Sequence, residues 1–180
     1  MPAGTLQFFD NLLSAEAWGA VWATCSSSNW AFGHSSVTVE DPAFWKMELD
    51  SDPTVSTIWQ VAQPLCERIA GHSLRVIRQY ANGHTYGLGG QIHVDDQRAD
   101  HYTLLYYPMP EWRAAWGGET VFYHPSGDLA AAVAPASNRA VFFDSRIAHA
   151  GRWNEHLDVV VARSEVECRA PLLEGGGAPP

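Results

Sequence analysis

Between Leu74 and Cys168 the chain is interrupted every few residues by Gly, Pro, Asn or Asp, and the short runs left between them are rich in β-branched and aromatic residues. Runs of that length are too short for helices and read as strands joined by turns. Seven are predicted: Leu74–Tyr80, Gln91–Asp95, His101–Tyr107, Glu119–Tyr123, Ala130–Ala134, Arg139–Asp144 and a last one within Leu157–Cys168. The expected fold class is therefore mainly β, a sandwich or jelly roll, with two helices ahead of it packed on one sheet.

The two helices are expected before this region. Leu6–Leu13 reads as a short strand and turn, and Ser14, followed by Glu16 and Ala17, makes an N-cap for a helix running to about Cys25. In Thr54–Ala70 the apolar positions Val55, Ile58, Val61, Ala62, Leu65 and Ile69 recur at steps of three and four, and Gly71 ends the pattern. Pro64 argues for a kink or break within it. The stretch from Ser26 to Pro53 is irregular and reads as loops with one strand around Ser36–Glu40.

At 180 residues the chain has enough material for one core, so residues 1–170 are expected to form a single domain and 171–180 a disordered tail. Twenty acidic against eleven basic residues give a formal net charge of -9, which lacks the basic footprint of a nucleic-acid or anionic-membrane binder. Three widely spaced cysteines, Cys25, Cys66 and Cys168, suit reduced thiols, and with no basic-then-apolar start the expected location is cytoplasmic.

A strand puts residues i and i+2 on one face, so His93-Val94-Asp95 can aim an imidazole and a carboxylate at one point. With eight His and ten Asp such a triplet arises by chance roughly 0.4 times, and His156-Leu157-Asp158 is a second copy. Order favours the first. A two-histidine, one-carboxylate metal site takes its third ligand from a later strand and keeps positions open on one side of the metal. His149 follows His93 and Asp95, whereas no histidine follows Asp158.

An ordered series of motifs then becomes familiar: Arg78-Gln79-Tyr80-Ala81-Asn82-Gly83-His84-Thr85-Tyr86, His93-Val94-Asp95, Leu104-Leu105-Tyr106-Tyr107 with Trp112, Gly117-Gly118-Glu119-Thr120-Val121-Phe122, Asn138 to Ser145, and His149. Over about Phe9 to Cys168 the chain resembles the iron(II)- and 2-oxoglutarate-dependent dioxygenases, within them the prolyl 4-hydroxylase-like group. The resemblance implies a double-stranded β-helix holding Fe(II) on His93, Asp95 and His149. It also implies use of O2, with ascorbate or another reductant, and conversion of 2-oxoglutarate to succinate and CO2 during hydroxylation. Related halogenases resemble this site but lack the carboxylate, so Asp95 favours a hydroxylase.

The basic residue that holds the distal carboxylate of 2-oxoglutarate is expected at Arg163, which shares its alternation with Val159 and Val161; Arg152 is the runner-up, and a surface pair of Arg163 with Glu165 or Glu167 is the competing account. Tyr80 and Tyr107 stand where this group can hydrogen-bond the cosubstrate. Gly87–Gln91 is longer and richer in glycine than expected in the group, and reads as a wide turn or a flap. Trp30, Trp45, Trp59, Trp112, Arg113 and Trp116 are candidates to touch the primary substrate. A small metabolite, such as an amino acid or natural-product intermediate, is the expected substrate. A prolyl or other protein residue is the alternative, and a cupin-like metal-binding protein without oxygen chemistry is an alternative of a different class.

Overall fold

A computed structural model describes residues 5–35, 43–87, 89–153 and 159–168. In chain order the elements are β1 (Leu6–Phe9), α1 (Ala15–Cys25), β2 (Ala31–His34), β3 (Phe44–Glu48), α2 (Pro53–Ala70), β4 (Leu74–His84), β5 (His101–Tyr107), a 3-10 turn at Ala114–Trp116, β6 (Thr120–Tyr123), β7 (Leu129–Val133), β8 (Arg139–Asp144), β9 (His149–Gly151) and β10 (Val159–Cys168). They form a seven-stranded antiparallel sheet of order β1-β8-β5-β10-β4-β3-β2, faced by a three-stranded sheet of order β7-β6-β9. This is a double-stranded β-helix with the helices on the outer face of the larger sheet.

Period-two alternation divides the core. Leu104, Tyr106, Phe142, Ala162 and Val166 point out to Val21, Ile58 and Ala62 of the helices, while Leu105, Tyr107, Val141 and Phe143 point in toward Phe122 and Val133 of the small sheet. α1 begins as expected, with Ser14 Oγ accepting from Ala17 N, and α2 begins at Pro53, where Asp52 caps it by accepting from Thr54 N and Val55 N. Gly71 closes α2 at φ 79°, a conformation only glycine enters without steric cost.

Several expectations need correction. α2 continues through Pro64. Gln60, Val61 and Pro64 are exposed, so the carbonyl that proline leaves without a donor, on Gln60, lies on the solvent side. β2 and β3 occupy part of the stretch expected to be loops, while the strand expected at Ser36–Glu40 lies outside the described residues. Gln91–Asp95 is not a full strand; only an isolated bridge joins His93 to His149. His149 opens a further short strand, β9, after the turn that follows β8. β4 runs on to His84. The 171–180 segment, His156 and Asp158 fall outside the described residues.

Candidate metal and cosubstrate site

Inside the barrel, β10 contributes Val161, Arg163 and Glu165, and β4 contributes Arg78, Tyr80, Asn82 and His84, each set at two-residue steps on one wall of a cavity of about 210 Å³. The opposite wall is the bridge between His93 and His149 with Asp95 beside it. His93 N donates to His149 O at 3.0 Å and His149 N to His93 O at 2.9 Å, while Asp95 N donates to Ser145 O at 2.9 Å. Two short backbone ladders therefore fix the three side chains relative to one another.

Gly89 is where the expected wide turn meets this wall. A Cβ there would lie 2.7 Å from Trp153 N, so no other residue fits without moving backbone, and Gly90 N donates to Gly151 O at 2.9 Å. The described part of Gly87–Gln91 thus lies against β9.

The ligand atoms of His93, Asp95 and His149 all lie within 4.8 Å of one another. Asp95 Oδ1 is 3.4 Å from His93 Nε2 and 3.5 Å from His149 Nε2. Each imidazole turns Nδ1 to a backbone carbonyl, His93 to Gln91 O at 2.8 Å and His149 to Ile147 O at 2.9 Å. Donation from Nδ1 fixes the tautomer that leaves the Nε2 lone pair for a metal. The His149 ring is also held edge-on to Phe143 at 4.8 Å and against Phe122 at 5.9 Å. Asp95 Oδ2 accepts from Thr103 Oγ1 at 2.6 Å, and Thr103 Oγ1 lies 3.1 Å from Ser145 Oγ.

The electrostatics suit a divalent cation. Burial pushes His149 down to about 4, with Arg163 and His93 adding to the effect and Asp95 opposing it, so the ring is neutral near pH 7. Burial works to raise the Asp95 carboxyl, but the neighbouring Arg163, His149 and His93 and the hydrogen bond from Thr103 outweigh it and hold the group well below the usual carboxylate range. The set therefore offers two imidazole nitrogens and one carboxylate oxygen on one side of a common point, a facial arrangement suited to Fe(II) with positions left open.

Arg163 is 7% exposed and pairs directly with Asp95 Oδ2, not with a surface carboxylate. Its Nη2 approaches His149 Nε2 at 3.4 Å, and its Nε is buried without a hydrogen-bond partner among the described residues. A buried guanidinium with an unmet donor calls for an anion in the cavity. Arg152 also lines the cavity, but as an exposed residue.

Tyr80 lines the cavity and donates its hydroxyl to Glu165 Oε1 at 2.9 Å, the same oxygen that takes Arg78 Nη2 at 2.7 Å. Burial pushes the Tyr80 phenol up. Tyr107 is placed differently from the expectation. It is fully buried in the core between the sheets, does not line the cavity, and its hydroxyl lies 2.6 Å from Thr120 Oγ1, which does.

The aromatic candidates are also relocated. Trp59 belongs to the core under α2, Trp30 Nε1 donates to Cys25 O at 3.0 Å, and none of Trp30, Trp45, Trp59, Trp112, Arg113 or Trp116 lines this cavity. From the N-terminal segment the lining residues are His34, Ser35 and Phe44, which no sequence motif singled out.

No curated protein matches this sequence. The family model of the 2OG-Fe(II) oxygenase superfamily matches residues 78–161, the span that contains His93, Asp95 and His149. Over that span the chain is similar to this superfamily. It is an oxygenase that works with Fe(II), 2-oxoglutarate and O2. Solved structures of the same fold include a Pseudomonas putida prolyl-4-hydroxylase (12% identity, 93% of this chain and 94% of that one, TM-score 0.72). The Trichoplax adhaerens prolyl hydroxylase in complex with a hypoxia-inducible-factor peptide fragment is also similar (14%, 90% and 83%, 0.68). So is the epimerase SnoN in complex with Fe3+, α-ketoglutarate and nogalamycin RO (13%, 98% and 88%, 0.72).

Proposed function

We propose that this oxygenase hydroxylates an aliphatic carbon of a small metabolite while 2-oxoglutarate is converted to succinate and CO2. The observation that carries the reading is the convergence of His93, Asp95 and His149 on one wall of a cavity that also holds the buried Arg163, whose Nε has no hydrogen-bond partner among the described residues. His93, Asp95 and His149 would hold Fe(II) through Nε2, a carboxylate oxygen and Nε2. Arg163 would take the distal carboxylate of 2-oxoglutarate by a charge-assisted, bidentate bond. Tyr80 would line the cosubstrate on the β4 side.

Bound iron and 2-oxoglutarate supply the oxidising power for C–H hydroxylation. The chain's own residues prepare the site. Gln91 O and Ile147 O turn both imidazoles so that Nε2 faces the common point, Thr103 orients Asp95, and Phe122 and Phe143 fix the plane of His149 and keep water from its inner face. Retention of Asp95 as third ligand supports hydroxylation over halogenation.

The small-metabolite reading is supported by the modest cavity, with side chains from both sheets, and by a net charge of -9. Single turnovers of the iron-loaded enzyme under 18O2, with amino acids and proline-containing peptides as candidate substrates, test it. The expected result is succinate formation stimulated by a small molecule that gains one labelled oxygen. Stimulation by the peptides alone would transfer the reading to a protein-residue hydroxylase. Product formation with no dependence on 2-oxoglutarate would remove it.

A further inference from the structure

Two polar groups of the cavity are left idle by the holding of iron and 2-oxoglutarate. The first is Arg152, which lines the cavity three residues after His149 and whose N donates to Glu119 O at 2.9 Å, tying its backbone to the edge of the small sheet. Its guanidinium has no carboxylate partner among the described residues. Every other arginine among them, Arg68 on the exposed side of α2 excepted, faces a carboxylate within ion-pair distance. In a chain with 20 acidic against 11 basic residues, a guanidinium beside the metal wall that meets no carboxylate among the described residues is a receptor for an anion that arrives from solution.

The second group is Asn82, whose Oδ1 is buried, has no hydrogen-bond partner among the described residues and belongs to a residue lining the same cavity. A buried acceptor without a partner is costly, and a ligand that brings an N–H or O–H recovers the loss. Asn82 stands two residues before His84 on the same strand face, and a Cβ on Gly151, the neighbour of Arg152, would lie 3.9 Å from His84 Nε2. Acceptor and cation therefore sit on the His84 side of the cavity, whereas Arg163 is buried against Asp95.

We propose that the primary substrate is a small carboxylic acid bearing an amine or hydroxyl, with its carboxylate taken by Arg152 and its donor by Asn82 Oδ1. This rests on the hydroxylase reading above and narrows it to a substrate class with named specificity residues. Arg152 is exposed, so its replacement leaves the core intact. An organic acid of this kind retains its charge at neutral pH, and its amide analogue does not. That single difference isolates the contribution of Arg152.

The test uses the full chain loaded with Zn(II), which suits the same nitrogen and oxygen ligands without redox turnover, and follows its thermal midpoint. 2-Oxoglutarate is added first, then each of the twenty proteinogenic L-amino acids, lactate and malate, each beside its own carboxamide. The expected result is a rise with 2-oxoglutarate, a second rise with at least one acid and none with the matching amide. Arg152→Gln should weaken binding of that acid by roughly tenfold or more and keep the first rise, Arg152→Lys should restore part, and Asn82→Leu should also weaken it. An amide that binds as well as its acid, an Arg152→Gln variant that keeps the second rise, or a panel with no second rise would each overturn the proposal while the hydroxylase reading stands. Loss of the first rise in Arg152→Gln would overturn it by assigning Arg152 to the cosubstrate. No rise with 2-oxoglutarate in the wild-type chain would overturn the hydroxylase reading and this proposal with it.

Discussion

Arg163→Ala is the substitution with the most separable consequences. Arg163 and Asp95 form a buried pair whose side chains are 8% and 5% exposed, so removing one partner strands the other charge away from water. Breaking such a pair costs about 3–5 kcal/mol, which for a chain of this size lowers the midpoint of the metal-free protein by roughly 6–20 °C. Bound Fe(II) supplies Asp95 with a positive partner, so the deficit should shrink when metal is present. Cosubstrate binding should not recover. A lost charge-assisted bond of roughly 1.5–3 kcal/mol weakens 2-oxoglutarate by about ten- to more than a hundredfold. Lysine restores only part of it, lacking the planar fork. Scanning calorimetry with and without metal, and anaerobic calorimetric titration of 2-oxoglutarate into the iron-loaded variants, measure both effects. Unchanged 2-oxoglutarate affinity in Arg163→Ala, with the loss appearing in Arg152→Ala instead, would refute the reasoning.

Two further outcomes follow from the surroundings of the site and the core. Thr103→Val keeps the shape of a fully buried side chain but removes the 2.6 Å hydrogen bond to Asp95 Oδ2, so metal affinity should fall by roughly ten- to a hundredfold in an anaerobic iron titration, with little change in fold by circular dichroism. Burial pushes the Cys25 and Cys66 thiols up to about 12 from 9.0, so both should resist alkylation at pH 8 in the native protein and react on unfolding, as counted by mass spectrometry. Because their folded values lie above the unfolded one, the stability they contribute is whole below pH 9 and drains away as pH rises toward 12, which urea titrations across that range would detect.

The parts of the fold legible in the sequence are those where one local rule decides. Ser14 followed by an apolar-rich turn fixes the start of α1, the apolar steps of three and four fix α2, and β5 and β8 carry apolar centres, Leu104–Tyr107 and Ala140–Phe143, bounded by turn residues. The parts that were missed depend on partners remote in sequence. β9 has three residues and exists because β6 and His93 pair with it, and β3 has the irregular burial of a short strand held by β4. The run through Pro64 is not readable from the proline itself, since it depends on which side of α2 faces water. His93, Asp95 and His149 could be selected because i, i+2 spacing and strand order are sequence properties. His34, Ser35 and Phe44, and the displacement of Tyr107 behind Thr120, arise from how the sheets close and leave no periodic signal.

The most direct test of the account is an anaerobic calorimetric titration of the full chain with Fe(II). The account predicts one ion per chain in the wild type, loss of binding in His93→Ala, Asp95→Ala and His149→Ala, and retention in His156→Ala and Asp158→Ala. Retained stoichiometry in the first three variants, or its loss in either of the last two, would contradict it.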